Sequence, residues 1–410
     1  MRYALSMWSW LPPLFFIAAL MGSPVPGFLV FMLLGIAHAW HSWRQPHGPN
    51  AFVWTRQDTW LALCFMSIPA FKALTVLWSE APHLAWANVG WHLYFAFWPL
   101  VLLGLARCST RPSPVDQGLA LGLIATALYS VYRVALAGDD HNGALGNVGI
   151  TAQLTMVLGG WNLLALTRAN TPLPVRGLYA AAFASTWVVL LLTTRRLELL
   201  GFAVLTFGIG LYRLRHQLSR ARLVMVGLVS LIMVGLLVSM RWEKFALGLS
   251  EVQNYFARRA QGAPYIDSSW GARLEMWRLG WQAFVEHPWL GIGAGARPFG
   301  LPGAPSAEIF GHRHFHSHLM QTAVEGGVLG LLVFGWSLVY SIRRLVLQAW
   351  STQREVSLLG LSLLCAYALE GAASATLIYD KPNALLVVMS CWVWLQLRVP
   401  EFRISAKSES

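Results

Sequence analysis

The chain has 410 residues, 56% of them hydrophobic and only 12% charged, with a formal net charge of +12. A soluble chain of this length could not keep so apolar a surface in water, so the bilayer is the solvent for most of it. In a membrane chain the basic excess reports topology first and an anionic partner second, and no nucleic-acid partner is expected.

Apolar windows of about 17–25 residues mark membrane-crossing helices. In chain order they fall near 7–22, 26–41, 59–78, 84–106, 116–137, 147–167, 174–194, 197–212, 223–240, 319–342, 356–376 and 382–398. These twelve spans predict an all-α polytopic membrane protein without internal repeats or a soluble domain. The first stretch lacks a small-residue cleavage site, so no removable leader is expected. With the N-terminus cytoplasmic, that face carries seventeen basic residues against Arg195, Arg196 and Lys381 in the short loops opposite. This bias predicts both termini in the cytoplasm. The chain then divides into spans one to nine over 1–240, one long outer loop over 241–318, and spans ten to twelve with a cytoplasmic tail over 319–410. Cys64, Cys108, Cys365 and Cys391 lie in or beside apolar segments, so no disulfide framework is expected.

The 241–318 loop is the only long hydrophilic interval, and chemistry is expected there. Within it Trp270–Glu286 has helical spacing, with Leu274, Trp277, Trp281 and Phe284 on one face. That pattern predicts a helix lying along the membrane surface with its aromatics toward lipid. The Pro- and Gly-rich 288–305 segment must turn. Its Gly291, Gly293 and Gly295 resemble a phosphate loop only superficially, because no strand precedes them and no Lys-Ser/Thr follows. They read instead as a turn packed closely on neighbouring backbone.

Four basic residues break the rules of their surroundings. Arg195 and Arg196 form a tight connection on the outer face, and Lys72 and Arg133 lie inside apolar segments toward their outer ends. Each is either an interfacial or snorkelling side chain or a wall of a charged cavity. Gathered on one face, guanidinium forks match a phosphate or diphosphate. Arg273 opens the surface helix and could join them, or could pair with Glu275, Asp267 or Glu286.

The histidines of His312-Arg-His314-Phe-His316-Ser-His318 admit three readings. Glu308, His312 and His316 share an i, i+4, i+8 spacing that could hold a metal on a helix, although Gly303, Pro305 and Gly311 argue against a continuous helix. A polar interfacial cluster without chemistry is the second reading. The third, favoured here, is a catalytic base at His316. Ser317 is a suitable N-cap for a helix starting near His318, and the positive end of that helix would keep His316 neutral and able to accept a proton.

Together these features resemble a known family. An Arg-bearing turn lies between the seventh and eighth spans, and a long outer loop separates the ninth from the tenth. The loop carries Arg273-x-x-x-Trp277 and Pro288-x-x-Gly-x-Gly-x-Gly295. Then follows His316-Ser-His318-Leu319-x-Gln321-x-x-x-Glu325-x-Gly327-x-x-Gly330. The pattern is similar to the O-antigen ligase and polymerase superfamily, in particular the ligase branch. His316-Ser317 stands where that family usually has His-Asn, and Thr194-Arg195-Arg196 where it usually has Ser-Arg-Gly; Arg195 is the favoured match to the family's arginine.

The resemblance implies a membrane-embedded glycosyltransferase of the bacterial inner membrane with its active site facing the periplasm. It implies transfer of a glycan from undecaprenyl diphosphate to a sugar hydroxyl on lipid A core, without metal or other cofactor. His316 would be the base, and Arg195, Arg196, Arg273, Lys72 and Arg133 would hold the diphosphate. His314, His318 and Gln321 would support them. A repeat-unit polymerase or protein O-glycosyltransferase would use the same donor site. A lipid-glycan transporter fits less well, because such proteins usually show repeats and midplane charges.

Overall fold

The computed structural model describes residues 8–44, 52–108, 112–138, 147–168, 171–193, 195–214, 235, 239, 242–262, 269–302, 304, 313–349, 354–374 and 376–408. Among them the chain is helical and contains no strand. The helices are α1 (Leu11–Met21), α2 (Val25–Arg44), α3 (Arg56–Thr75), α4 (Pro82–Ala96), α5 (Trp98–Cys108), α6 (Pro112–Val131) and α7 (Val148–Leu166). They continue with α8 (Leu173–Thr193), α9 (Arg196–Leu214), α10 (Trp242–Ala260), α11 (Ser269–Glu286), α12 (His318–Ala349), α13 (Arg354–Ala373) and α14 (Asp380–Ser408). Seven segments of the described residues are long and apolar enough to cross a membrane, and three shorter helices, Leu11–Met21, Glu198–Gly210 and Val356–Ala372, are apolar. The span expected at 223–240 lies almost wholly outside the described residues.

Helix α7 is the axis of the bundle: every residue from Ile150 to Ala165 is buried. It packs against α8, α9 and α13, so no lipid-facing stripe is needed: apolar residues recur on every side, with Thr151, Gln153, Thr155 and Asn162 buried among them. Outer helices show the opposite pattern, with Leu33 of α2, Leu128 of α6 and Leu332 of α12 largely exposed. The predicted span 84–106 is broken at Phe97 between α4 and α5. Pro99 lacks the amide hydrogen that would bond the Phe95 carbonyl, and its ring crowds that carbonyl.

The larger departure is in the predicted tenth span. Backbone torsions in α12 leave the helical range at Gly327, with φ 59° and ψ −153°. A straight helix would separate His318 and Phe334 by about 24 Å, yet their ring centroids lie 4.9 Å apart. The chain therefore doubles back, with a short arm at 318–326 and a long arm at 328–349.

The 241–318 region is also more structured than a surface loop with one helix. Helix α11 appears within a residue of its predicted start, but a second helix, α10, precedes it. The two are tied by Glu275, a buried carboxylate that accepts from Tyr255 Oη at 2.7 Å, Arg259 Nη1 at 2.9 Å and Arg278 Nη2 at 2.7 Å. Burial would raise the Glu275 pKa, but hydrogen bonds from Arg278 and Tyr255 prevail and hold it below the usual carboxylate range. Burial, and then the Glu275 carboxylate, push the Tyr255 phenol up to about 12. The expected aromatic face of α11 is split. Trp281 is exposed, whereas the Trp277 indole turns inward and donates to the Phe315 carbonyl at 2.8 Å.

Candidate active site

The reversal at Gly327 leaves helix ends that need partners, and the 288–295 segment supplies them. Ile292 N donates to Val324 O at 2.9 Å and Gly293 N to Glu325 O at 3.1 Å, satisfying carbonyls at the end of the short arm. Val328 N donates to Pro288 O at 2.7 Å and Leu329 N to Trp289 O at 3.2 Å, satisfying amides at the start of the long arm. Such backbone-to-backbone contact leaves no room for β-carbons. One on Gly291 would meet Val324 O at 2.4 Å, and one on Gly327 would meet the Trp289 carbonyl carbon at 2.4 Å. Both glycines have positive φ. The glycine run is thus a plug that fixes the reversal.

Glu325 is the polar centre of this plug. Its fully buried carboxylate accepts from Asn88 Nδ2 at 2.8 Å, Gln321 Nε2 at 2.7 Å and Gly295 N at 2.9 Å, and it pairs with Lys72. Lys72 therefore has its charge matched inside the protein by a partner 5% or less exposed. Gln321 reaches further: its Nε2 donates to Ala296 O at 2.9 Å, and its Oε1 accepts from Phe315 N at 3.2 Å. These bonds, with the Trp277 indole on the Phe315 carbonyl, clamp the residue between His314 and His316.

His316 has φ +49°, the only positive φ of a described non-glycine residue. The predicted cap is present: Ser317 Oγ accepts from Met320 N at 3.2 Å at the start of α12. His316 N donates to His314 Nδ1 at 3.2 Å, and the two rings meet edge to face at 4.3 Å. His314 Nε2 lies 3.2 Å from Tyr379 Oη, just before α14. His318 points elsewhere. It is buried among Phe334, His92 and Thr322, and its amide donates to Ser374 O at 3.2 Å.

The arginines approach from other elements. Arg195 stands in the α8–α9 turn with its guanidinium over the first turn of α7, where a β-carbon on Gly149 would lie 2.5 Å from Nη2. The positive ends of α7 and α9 both face this place. Arg273 projects from α11 one turn from Trp277, on the same helix face, with its guanidinium 5.7 Å from the Trp270 ring centroid. Both arginines are half-buried. Burial, and then the Arg195 charge, hold the Arg273 guanidinium below its usual pKa, partly offset by Glu198 and Glu370. Tyr379 is raised by burial and drawn back by the same Arg195. Arg195, Arg273, Tyr379, His314 and His316 thus form one neighbourhood. Buried Glu198 and Glu370 stand within electrostatic range of both arginines. No described residue makes a hydrogen bond or contact ion pair with the guanidinium of Arg195 or Arg273, and Arg195 Nε is buried without a hydrogen-bond partner. The pairing of Arg273 with Glu275 allowed by the sequence does not occur, because Arg259 and Arg278 occupy that carboxylate.

Arg133 lies in the π-helical turn Tyr132–Leu136, with Nη1 donating to Tyr129 Oη at 3.1 Å. Arg196 opens α9, but its side chain lies outside the described residues, as do Thr194, Asp267, Glu308 and His312. The residues missed in the sequence are Glu198, Glu370 and Tyr379. A lone carboxylate in an apolar span, as at Glu370, was a usable signal; Tyr379 carried none.

A family model described as O-antigen ligase matches residues 181–335. The matched stretch holds Arg195, Glu198, Arg273, His314 and His316, while Glu370 and Tyr379 come from beyond it. No curated protein matches the chain.

Proposed function

We propose that this chain, whose residues 181–335 match a family model described as O-antigen ligase, transfers a glycan from undecaprenyl diphosphate to a sugar hydroxyl of lipid A core. The observation that carries the reading is the convergence of Arg195 and Arg273, two half-buried guanidiniums without contact ion pairs among the described residues, beside the His314–His316 turn. Guanidinium forks bind phosphate oxygens in pairs and would hold the diphosphate of the donor. Negative charge grows on that diphosphate as the anomeric C–O bond breaks, and fixed cations in a partly dehydrated site stabilise it most at that moment. His316 takes the proton from the acceptor hydroxyl as its oxygen bonds to the anomeric carbon. Direct displacement inverts the configuration. A negative charge held by the Glu198–Glu370 pair would partly offset the mutual repulsion of the two arginines while the donor is away. In this reading the site faces the periplasm of the bacterial inner membrane, and both termini are cytoplasmic.

The test uses the purified full-length protein, a labelled lipid-linked glycan and lipid A core. Label should appear on the core. Chain growth on the lipid carrier would instead mark a polymerase, and transfer to neither would reject the glycosyltransferase reading. His316→Ala should lower transfer by about 10²–10⁴-fold, the usual contribution of a general base, and chelators should have no effect. Loss of transfer on chelation, restored by zinc, would overturn the metal-free mechanism.

A further inference from the structure

We infer that His314 and Tyr379 are positioning residues that hold His316 in the one orientation transfer requires. The inference rests on the base role proposed for His316. The left-handed backbone of His316 is the starting point. A residue with a β-carbon persists there only when its surroundings over-determine it.

Three contacts supply that constraint. The His316 amide donates to His314 Nδ1 at 3.2 Å, a side-chain turn of the kind Asn and Asp make with the amide two residues on. Accepting that bond requires a lone pair on Nδ1, so the proton of neutral His314 is on Nε2. That Nε2–H then donates to Tyr379 Oη at 3.2 Å. The His314 ring, fixed at both nitrogens, meets the His316 ring edge to face at 4.3 Å and 65°, which restricts the swing of the second imidazole. Phe315 between them is fully buried and bonded at both its amide and its carbonyl, so neither histidine can relax by moving the backbone. Tyr379 itself lies within the field of Arg195. The strap thus runs from Tyr379 through His314 to His316.

The two halves of the His314 contact can be separated chemically. Asn presents an oxygen at the position of Nδ1 but does not reach Tyr379. Gln reaches toward Tyr379 but misplaces the acceptor for the His316 amide. His314→Asn, which keeps only the acceptor for the His316 amide, should therefore lose less kcat than either the Gln or the Leu variant. His314→Gln and His314→Leu should lower kcat by about 10–100-fold, the scale set by displacing a reacting group by an ångström. KM for the lipid-linked donor and the thermal midpoint should stay unchanged in all three. Tyr379→Phe should lower kcat a few-fold in the same way. Wild-type kcat in His314→Leu, or Asn and Gln variants losing kcat and thermal stability together, would overturn the inference. His316→Ala is measured alongside. Full activity there would reject the base role itself. An inactive His316→Ala beside a fully active His314→Gln would reject only the positioning.

Discussion

Replacing Lys72 by Met should destabilise the protein rather than weaken donor binding. Lys72 and Glu325 are 5% and 0% exposed, so removing the ammonium leaves a buried carboxylate without a counter-charge. Breaking such a pair from one side costs about 3–5 kcal/mol. Asn88, Gln321 and Gly295 still donate to that carboxylate, and hydrogen bonds to a charged group are worth about 1.5–3 kcal/mol each. The loss should therefore fall at the lower end, about 3 kcal/mol, or about two orders of magnitude in the folded-to-unfolded ratio. Glu325→Gln removes the orphaned charge while keeping an oxygen for the three donors, so Lys72→Met with Glu325→Gln should recover most of the loss. Thermal unfolding of the four proteins in detergent, run as a double-mutant cycle with donor KM measured in parallel, separates the possibilities. Wild-type stability in Lys72→Met together with a raised donor KM would refute this reasoning and return Lys72 to the diphosphate site.

Arg273→Ala should behave in the opposite way. Losing two charge-assisted bonds of about 1.5 kcal/mol each predicts a fall in kcat/KM of about 10²-fold at unchanged thermal stability, with Lys restoring only part; wild-type kcat/KM in the Ala variant would reject it as a diphosphate ligand. Gly327→Ala should cost at least about 1–3 kcal/mol, because φ is +59° and the new β-carbon meets Trp289. Gly335→Ala, with nothing within 4 Å, serves as control, and equal thermal midpoints would refute the plug. The folded-state pKa of Glu275 is depressed. Its stabilisation should be fully present above the unfolded carboxylate value of about 4.3 and fade as pH falls through the lower folded value. Glu275→Gln should flatten that acid limb, and an unchanged limb in thermal unfolding would count against the Glu275 knot.

Membrane residence, helical content, the start of α11 and the Ser317 cap were all legible in the sequence. Each depends on local or periodic information: hydropathy over a window, a 3.6-residue repeat, or a capping residue one position ahead of a helix. Tertiary structure decided what that information could not reach. An apolar window through 319–342 reads the same whether the helix is straight or folded at Gly327, because hydropathy does not report φ. Lys72 and Glu325 are 253 positions apart, so their pairing depends on how α3 meets the reversal. Arg195, Arg273 and the His314–His316 turn come from three separate segments, and Tyr379 from a fourth. Side chains so far apart in sequence share electrostatics only once the bundle has packed, and packing alone determines that Arg259 and Arg278, rather than Arg273, neutralise Glu275.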